Sequence, residues 1–146
     1  MKESPFLTHR HILLNGYGAA ITLRGITLSL WNGRNHPADM SRVAGLDDRH
    51  FAIAQELLAW YRQHGENDPD FMETGRDCEA MALEAKRREE QQQAYAGWEL
   101  LVERELGSRG KRKDLAFDRY EWFFARFQQG LTPAQAAEQA IAHGLE

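Results

Sequence analysis

The chain holds a single cysteine, Cys78, only four prolines, and no apolar stretch approaching the roughly 20 residues that span a bilayer. One thiol excludes an internal disulfide and any cysteine-rich zinc site, and it suits a reducing compartment, for which the cytoplasm is the default. Four prolines are too few for a proline-rich linker. Met1-Lys2-Glu3-Ser4-Pro5-Phe6 lacks the apolar core of a secretory leader. No His-Glu-x-x-His or Cys-x-x-Cys spacing occurs. The expectation from these absences is a soluble cytoplasmic protein with no membrane span, no cofactor and no metal.

What is present suffices for a packed fold. A chain of 146 residues buries roughly 70% of the surface its unfolded form exposes, and 42% apolar with 10% aromatic residues supply the core. A single domain over 1–146 is expected. The net charge of −4 conceals a polarity along the chain. Residues 1–45 carry five basic and two acidic groups, 46–85 three and ten, and 86–126 ten and eight. The middle is the acidic part, and a concentrated negative surface steers basic partners while repelling nucleic acid.

From Arg10 to Trp31 the chain is rich in Ile, Leu and Thr, interrupted by Asn15-Gly16, Gly18 and Arg24-Gly25. If Arg24-Gly25 is a two-residue turn, Leu23 pairs with Ile26, Thr22 with Thr27 and Ile21 with Leu28, with apolar groups on one face and threonines on the other. A loop from Asn15 to Gly18 would pair Leu14 with Ala19 and Ile12 with Ile21. The pattern therefore predicts a three-stranded antiparallel meander with a connecting loop over 1–45, and a helical part over 46–146 that covers its apolar face. The fold class expected is α+β.

The first helix is expected from about Asp47 to His64, capped by Asp47 or Asp48 and closed before Gly65. Phe51, Ala54, Leu57, Leu58 and Tyr61 share one stripe of it. After the polar turn Glu66-Asn67-Asp68-Pro69-Asp70, a long helical pattern runs to about Leu106. Its centre, Lys86 to Gln93, has strong helix formers and no apolar residue. Beyond the basic loop Gly107 to Lys113, Leu115, Tyr120, Phe123, Phe124 and Phe127 make an aromatic helical stripe ending at Gly130. Thr132 caps the last helix and Pro133 occupies its first turn.

Candidate chemistry is sparse. His9 and His11, two apart in an expected strand, would face one side, but no third ligand is near in sequence. Glu66 to Asp70 lacks the alternating ligands of a calcium loop. Asn15-Gly16-Tyr17-Gly18 precedes an expected strand, whereas phosphate-binding glycine loops precede a helix. Asp47 with Asp48 and Glu89 with Glu90 are adjacent rather than facing, and Cys78 sits on an apolar stripe as a structural thiol. No enzymatic activity is expected.

Gly130-Leu131-Thr132-Pro133-Ala134-Gln135-Ala136-Ala137 resembles the first half of a helix-turn-helix. A recognition helix would have to follow Gly144, so the segment is expected to form a helical hairpin without a reading helix. Ala134, Ala136, Ala137, Ala140 and Ala142 make it thin enough to pack closely on its neighbours. The function expected is that of a small non-enzymatic adaptor, regulator or inhibitor, of the kind mobile genetic elements encode. It would bind a protein partner through an acidic surface, Asp68, Asp70, Glu73 and Asp77, or through an aromatic one, Phe123, Phe124 and Phe127. The alternative is a nucleic-acid-associated protein that grips phosphates through Arg109, Lys111, Arg112 and Lys113. Nothing in the sequence sets an oligomeric state. If Thr132 is the cap, Thr132→Ala costs about 1 kcal/mol of stability. Urea unfolding measures this, and an unchanged midpoint would displace the helix boundary.

Overall fold

The computed structural model describes residues 2–146. It is built of helices, and among the described residues there is no strand. The expected α+β class and the three-stranded meander are therefore corrected to a mainly helical architecture. Residues 5–32 form α1 (Pro5–Thr8), α2 (Arg10–Leu13) and α3 (Gly18–Asn32). A short 3₁₀ turn, Met40–Gly45, leads to α4 (Asp48–His64), and a second, Gly65–Asn67, leads to α5 (Pro69–Ser108). The chain ends in α6 (Leu115–Asp118), α7 (Tyr120–Gln128) and α8 (Pro133–Ala142).

The apolar groups flanking Arg24-Gly25 satisfy a helical stripe as well as a hairpin, and burial selects the helix. Ala20, Leu23 and Thr27 recur at helical spacing and are buried. The threonines, which favour strands, are reconciled by bonding backward one turn. Thr22 Oγ1 donates to the Gly18 carbonyl at 3.3 Å and Thr27 Oγ1 to that of Leu23 at 3.1 Å. Gly25 lies inside α3 and makes no turn. Neither His9 nor His11 lies in a strand: His9 is the turn residue between α1 and α2, and His11 is in α2. His9 Nε2 lies 3.0 Å from Glu56 Oε2.

Contacts divide the chain into two compact units, the first running to Ala85 and the second comprising Lys86–Glu146. In the first unit, Phe6, Leu13, Leu23, Leu57, Phe71 and Cys78 are fully enclosed. Phe71 receives edge contacts from Phe6 and Tyr61, with ring centres 4.9 and 5.0 Å away. The helix expected from Asp47 to His64 is α4, with Asp47 as cap and Gly65 closing it at φ +53°. It packs on α1 and α3 instead of covering a sheet.

α5 runs unbroken through the polar stretch Lys86 to Gln93. In the second unit Val102, Leu106, Leu115, Phe123, Ala136, Ala137 and Ala140 form the core, where the alanines let α8 lie close. Thr132 and Gln135 make reciprocal capping bonds at the start of α8. The positive φ of Gly130, +81°, turns the chain between α7 and α8.

In the first unit Gly75 marks the closest approach. A Cβ there would lie 2.4 Å from Trp31 Cε3, and the indole is tied by Nε1 to Glu79 at 3.1 Å. Gly75→Ala gains helix propensity but must displace the ring. We expect a net loss of about 1–3 kcal/mol, read as a lower urea midpoint. An unchanged or raised midpoint would show that the ring yields freely.

Candidate functional site

A concavity in the second unit lies between α5 and the α6–α7 segment, with a volume of about 620 Å³. Arg88, Gln91, Gln92, Ala96, Glu99 and Leu100 come from α5, and Phe117, Tyr120 and Phe124 stand opposite, around Tyr95. Helical spacing explains the α5 wall, since residues three, four and seven apart share one side. Its rim is greasy: Phe117 is 73% exposed, Leu100 65% and Tyr120 48%.

Tyr95 is only 5% exposed. Its ring meets Tyr120, Phe124 and Phe127 edge-on at 5.3, 5.2 and 5.4 Å, and Tyr120 stacks on Phe124. Its hydroxyl has no hydrogen-bond partner, the only buried side-chain polar atom in that condition among the described residues. Burial first, then the charge of Glu99, holds this phenol well above its ordinary pKa, although Glu99 stands outside hydrogen-bonding geometry. A solvated aromatic rim above an unsatisfied polar atom is the character of a surface lacking its complement.

The residues singled out from sequence are dispersed. Phe123 is enclosed in the second core, while Phe124 and Phe127 are half-buried in the Tyr95 cluster, and Phe124 lines the groove. Asp68 is buried and accepts from Ser4 Oγ at 2.6 Å, Trp60 Nε1 at 2.8 Å and the Asp70 amide at 3.0 Å. Asp77 pairs with Arg10, Asp70 is half-buried and Glu73 is exposed. Burial, then the charges of Asp68, Glu73 and Glu3, raises the Asp70 carboxyl.

In the basic loop, Arg109 meets Glu105 at 2.7 Å and Glu138 at 3.4 Å, and Arg112 meets Asp114 at 3.2 Å and also Asp118. Lys111 and Lys113 are exposed, with the Lys113 stem crossing Gly107.

Sequence reasoning missed Phe117 and Leu100. Phe117 precedes Tyr120 and Phe124 by three and seven residues, so helical spacing was the signal that could have found it, although Arg119, with φ of −113° and ψ of 40°, separates α6 from α7. It missed a polar series in the first unit as well. Asp47 Oδ1 lies 2.7 Å from His50 Nδ1, and His50 Nε2 lies 2.9 Å from the Tyr17 hydroxyl. Carboxylate, imidazole and hydroxyl in that order can activate a nucleophile. Here the same Asp47 oxygen also accepts the His50 amide at 2.8 Å, capping α4, so the series braces the start of α3 against that of α4. The His50 contacts hold the Asp47 carboxyl below the usual range. Burial pushes the Cys78 thiol up to about 11, which makes it a poor nucleophile. No group of three or more potential metal ligands occurs, and no helix is long and apolar enough to cross a membrane, among the described residues.

No family model matches the chain, and no curated protein or solved structure does so either.

Removing an unsatisfied buried hydroxyl while keeping the ring forfeits no internal bond. Tyr95→Phe is therefore expected to leave the urea midpoint unchanged or higher. A loss above about 1 kcal/mol would mean that the hydroxyl has a partner within the chain.

Proposed function

We propose that this is a non-enzymatic interaction protein of the cytoplasm, an adaptor, regulator or inhibitor, that engages a protein through the aromatic groove of its second unit. The observation carrying this reading is the exposure of Phe117, Leu100 and Tyr120 around one concavity. Scattered surface apolar residues need no explanation, but large ones gathered on the lip of a groove match the anchors and hollows of protein interfaces. The volume of about 620 Å³ accommodates bulky side chains from a helical or looped partner.

The acidic surface gives less support, because Asp68 and Asp77 already serve internal bonds. Phosphate binding through the basic loop is likewise the weaker alternative. Arg109 and Arg112 each meet two carboxylates, which offset the charge a phosphate would need.

The test is a photoreactive benzoylphenylalanine introduced at Phe117 of the full chain and activated in its own host cells, with the same group at exposed Phe51 as control. A protein adduct specific to Phe117 and resistant to nuclease is expected, and Phe117→Ala should cost about 2 kcal/mol of binding to the adduct's protein. An adduct that vanishes with nuclease, or none at all, would remove the groove as a protein-binding surface.

A further inference from the structure

The series of Asp47, His50 and Tyr17 in the first unit ends at an accessible side chain. Tyr17 lies between α2 and α3 and is 41% exposed. A Cβ added to Gly16 or Gly18 would meet nothing within 4 Å, so nothing crowds the backbone on either side of it. His50 is buried, and its ring meets that of Tyr17 edge-on with centres 5.5 Å apart.

The hydrogen bonds set which atom holds each proton. The His50 amide and then its ring keep the Asp47 carboxyl below its usual range, so Asp47 is a carboxylate and accepts. In the neutral imidazole Nδ1 is therefore the donor, at 2.7 Å, and Nε2 turns its lone pair to the Tyr17 hydroxyl at 2.9 Å. A base within reach of a hydroxyl and oriented by a third group is the arrangement that activates weak nucleophiles. The cap bond from the His50 amide to the same Asp47 oxygen, at 2.8 Å, holds the orienting group in place, so bracing and activation are compatible. Among the described residues His50 is the hydroxyl's only hydrogen-bond partner. Phosphoryl transfer calls for cations around the migrating group. Acyl transfer calls for a proton acceptor at the attacking oxygen, which is what stands here.

We propose that Tyr17 is a covalent modification site whose phenolic oxygen takes an acyl group from an activated donor, an ester or thioester with a good leaving group, with His50 as the base. Tyr17 Oη bonds to the acyl carbon as His50 Nε2 takes the phenolic proton. The bond from that carbon to the leaving oxygen or sulfur breaks with its electron pair, and Nε2 passes the proton to the departing atom. The products are an O-acyl tyrosine and a free alcohol or thiol, with nothing oxidised or reduced. A single modification of each chain needs no turnover, and the site is independent of the groove in the second unit.

The test is p-nitrophenyl acetate added to the full chain at neutral pH, with acetylation followed at each tyrosine by mass spectrometry. Tyr120 is the internal control, because it is 48% exposed and makes no hydrogen bond to a histidine. Tyr17 is expected to acetylate about tenfold faster than Tyr120 or more, and His50→Gln should bring it down to the Tyr120 rate. Asp47 is a positioning residue. Asp47→Asn keeps a capping oxygen for α4, so it should slow Tyr17 about tenfold or more while leaving the urea midpoint unchanged. Equal rates at the two tyrosines, which need no variant to observe, overturn the proposal. So does a Tyr17 rate that either substitution leaves unaltered.

Discussion

In the first unit, the surrounding helices depend on one buried carboxylate. Asp68 gathers the Ser4 hydroxyl, the Trp60 indole and the Asp70 amide at one point, so the start of the chain, the end of α4 and the start of α5 are fixed together. Desolvating a charge is costly, and three donors offset that cost by replacing the water it loses. Ser4 Oγ also accepts from the Phe6 amide, so the hydroxyl that donates to Asp68 also starts α1. Six residues further along the chain, in α5, Thr74 donates to the Phe6 carbonyl and accepts from Arg10, whose guanidinium reaches Asp77. The lids formed by α1 and α2 are too short to hold themselves as helices, and this polar ladder, with Phe6 beneath it, is what fixes them.

This ladder explains how the acidic segment is used. Read along the chain, Asp68, Asp70, Glu73 and Asp77 form one negative run. In the fold, buried Asp68 and part-exposed Asp77 are engaged by donors brought by residues more than sixty positions earlier, while Glu73 turns out to solvent. Charge runs report composition, but the partner of each charge is a tertiary fact. The same holds for the basic loop, where Glu138 reaches Arg109 from α8 and local acids meet Arg112.

What was legible in the sequence followed local chemistry. Asp47 and Gly65 bracket α4 because a side-chain acceptor and a residue tolerant of positive φ are needed at those two ends, and both requirements are met within a few residues. Thr132 and Pro133 announced α8 for the same reason, and Gln135 completes the cap by reaching back to the Thr132 amide. The N-terminal segment failed because its signals were two-valued. β-branched residues and an Arg-Gly pair suit a hairpin, yet Ala20, Leu23 and Thr27 also fall on one helical face, and the decision lay with Leu57 and Phe71, distant in sequence. Local preference at such a site is worth tenths of a kcal/mol, whereas burying a single Leu is worth about 2 kcal/mol.

The candidate groove was half legible. An aromatic stripe over Tyr120 to Phe127 was visible, but a stripe does not disclose which of its rings will be spent on the core. Phe123 is taken into the core that the small alanines of α8 share with Val102, Leu106 and Leu115, where it is fully enclosed. That choice rotates α7 so that Tyr120 and Phe124 face Tyr95, and the break at Arg119 frees α6 to present Phe117 at the rim. The alanine-rich last helix, which holds no side chain of the groove, therefore sets its composition. The closeness of α8 to Phe123 decides which aromatic rings remain available to another molecule.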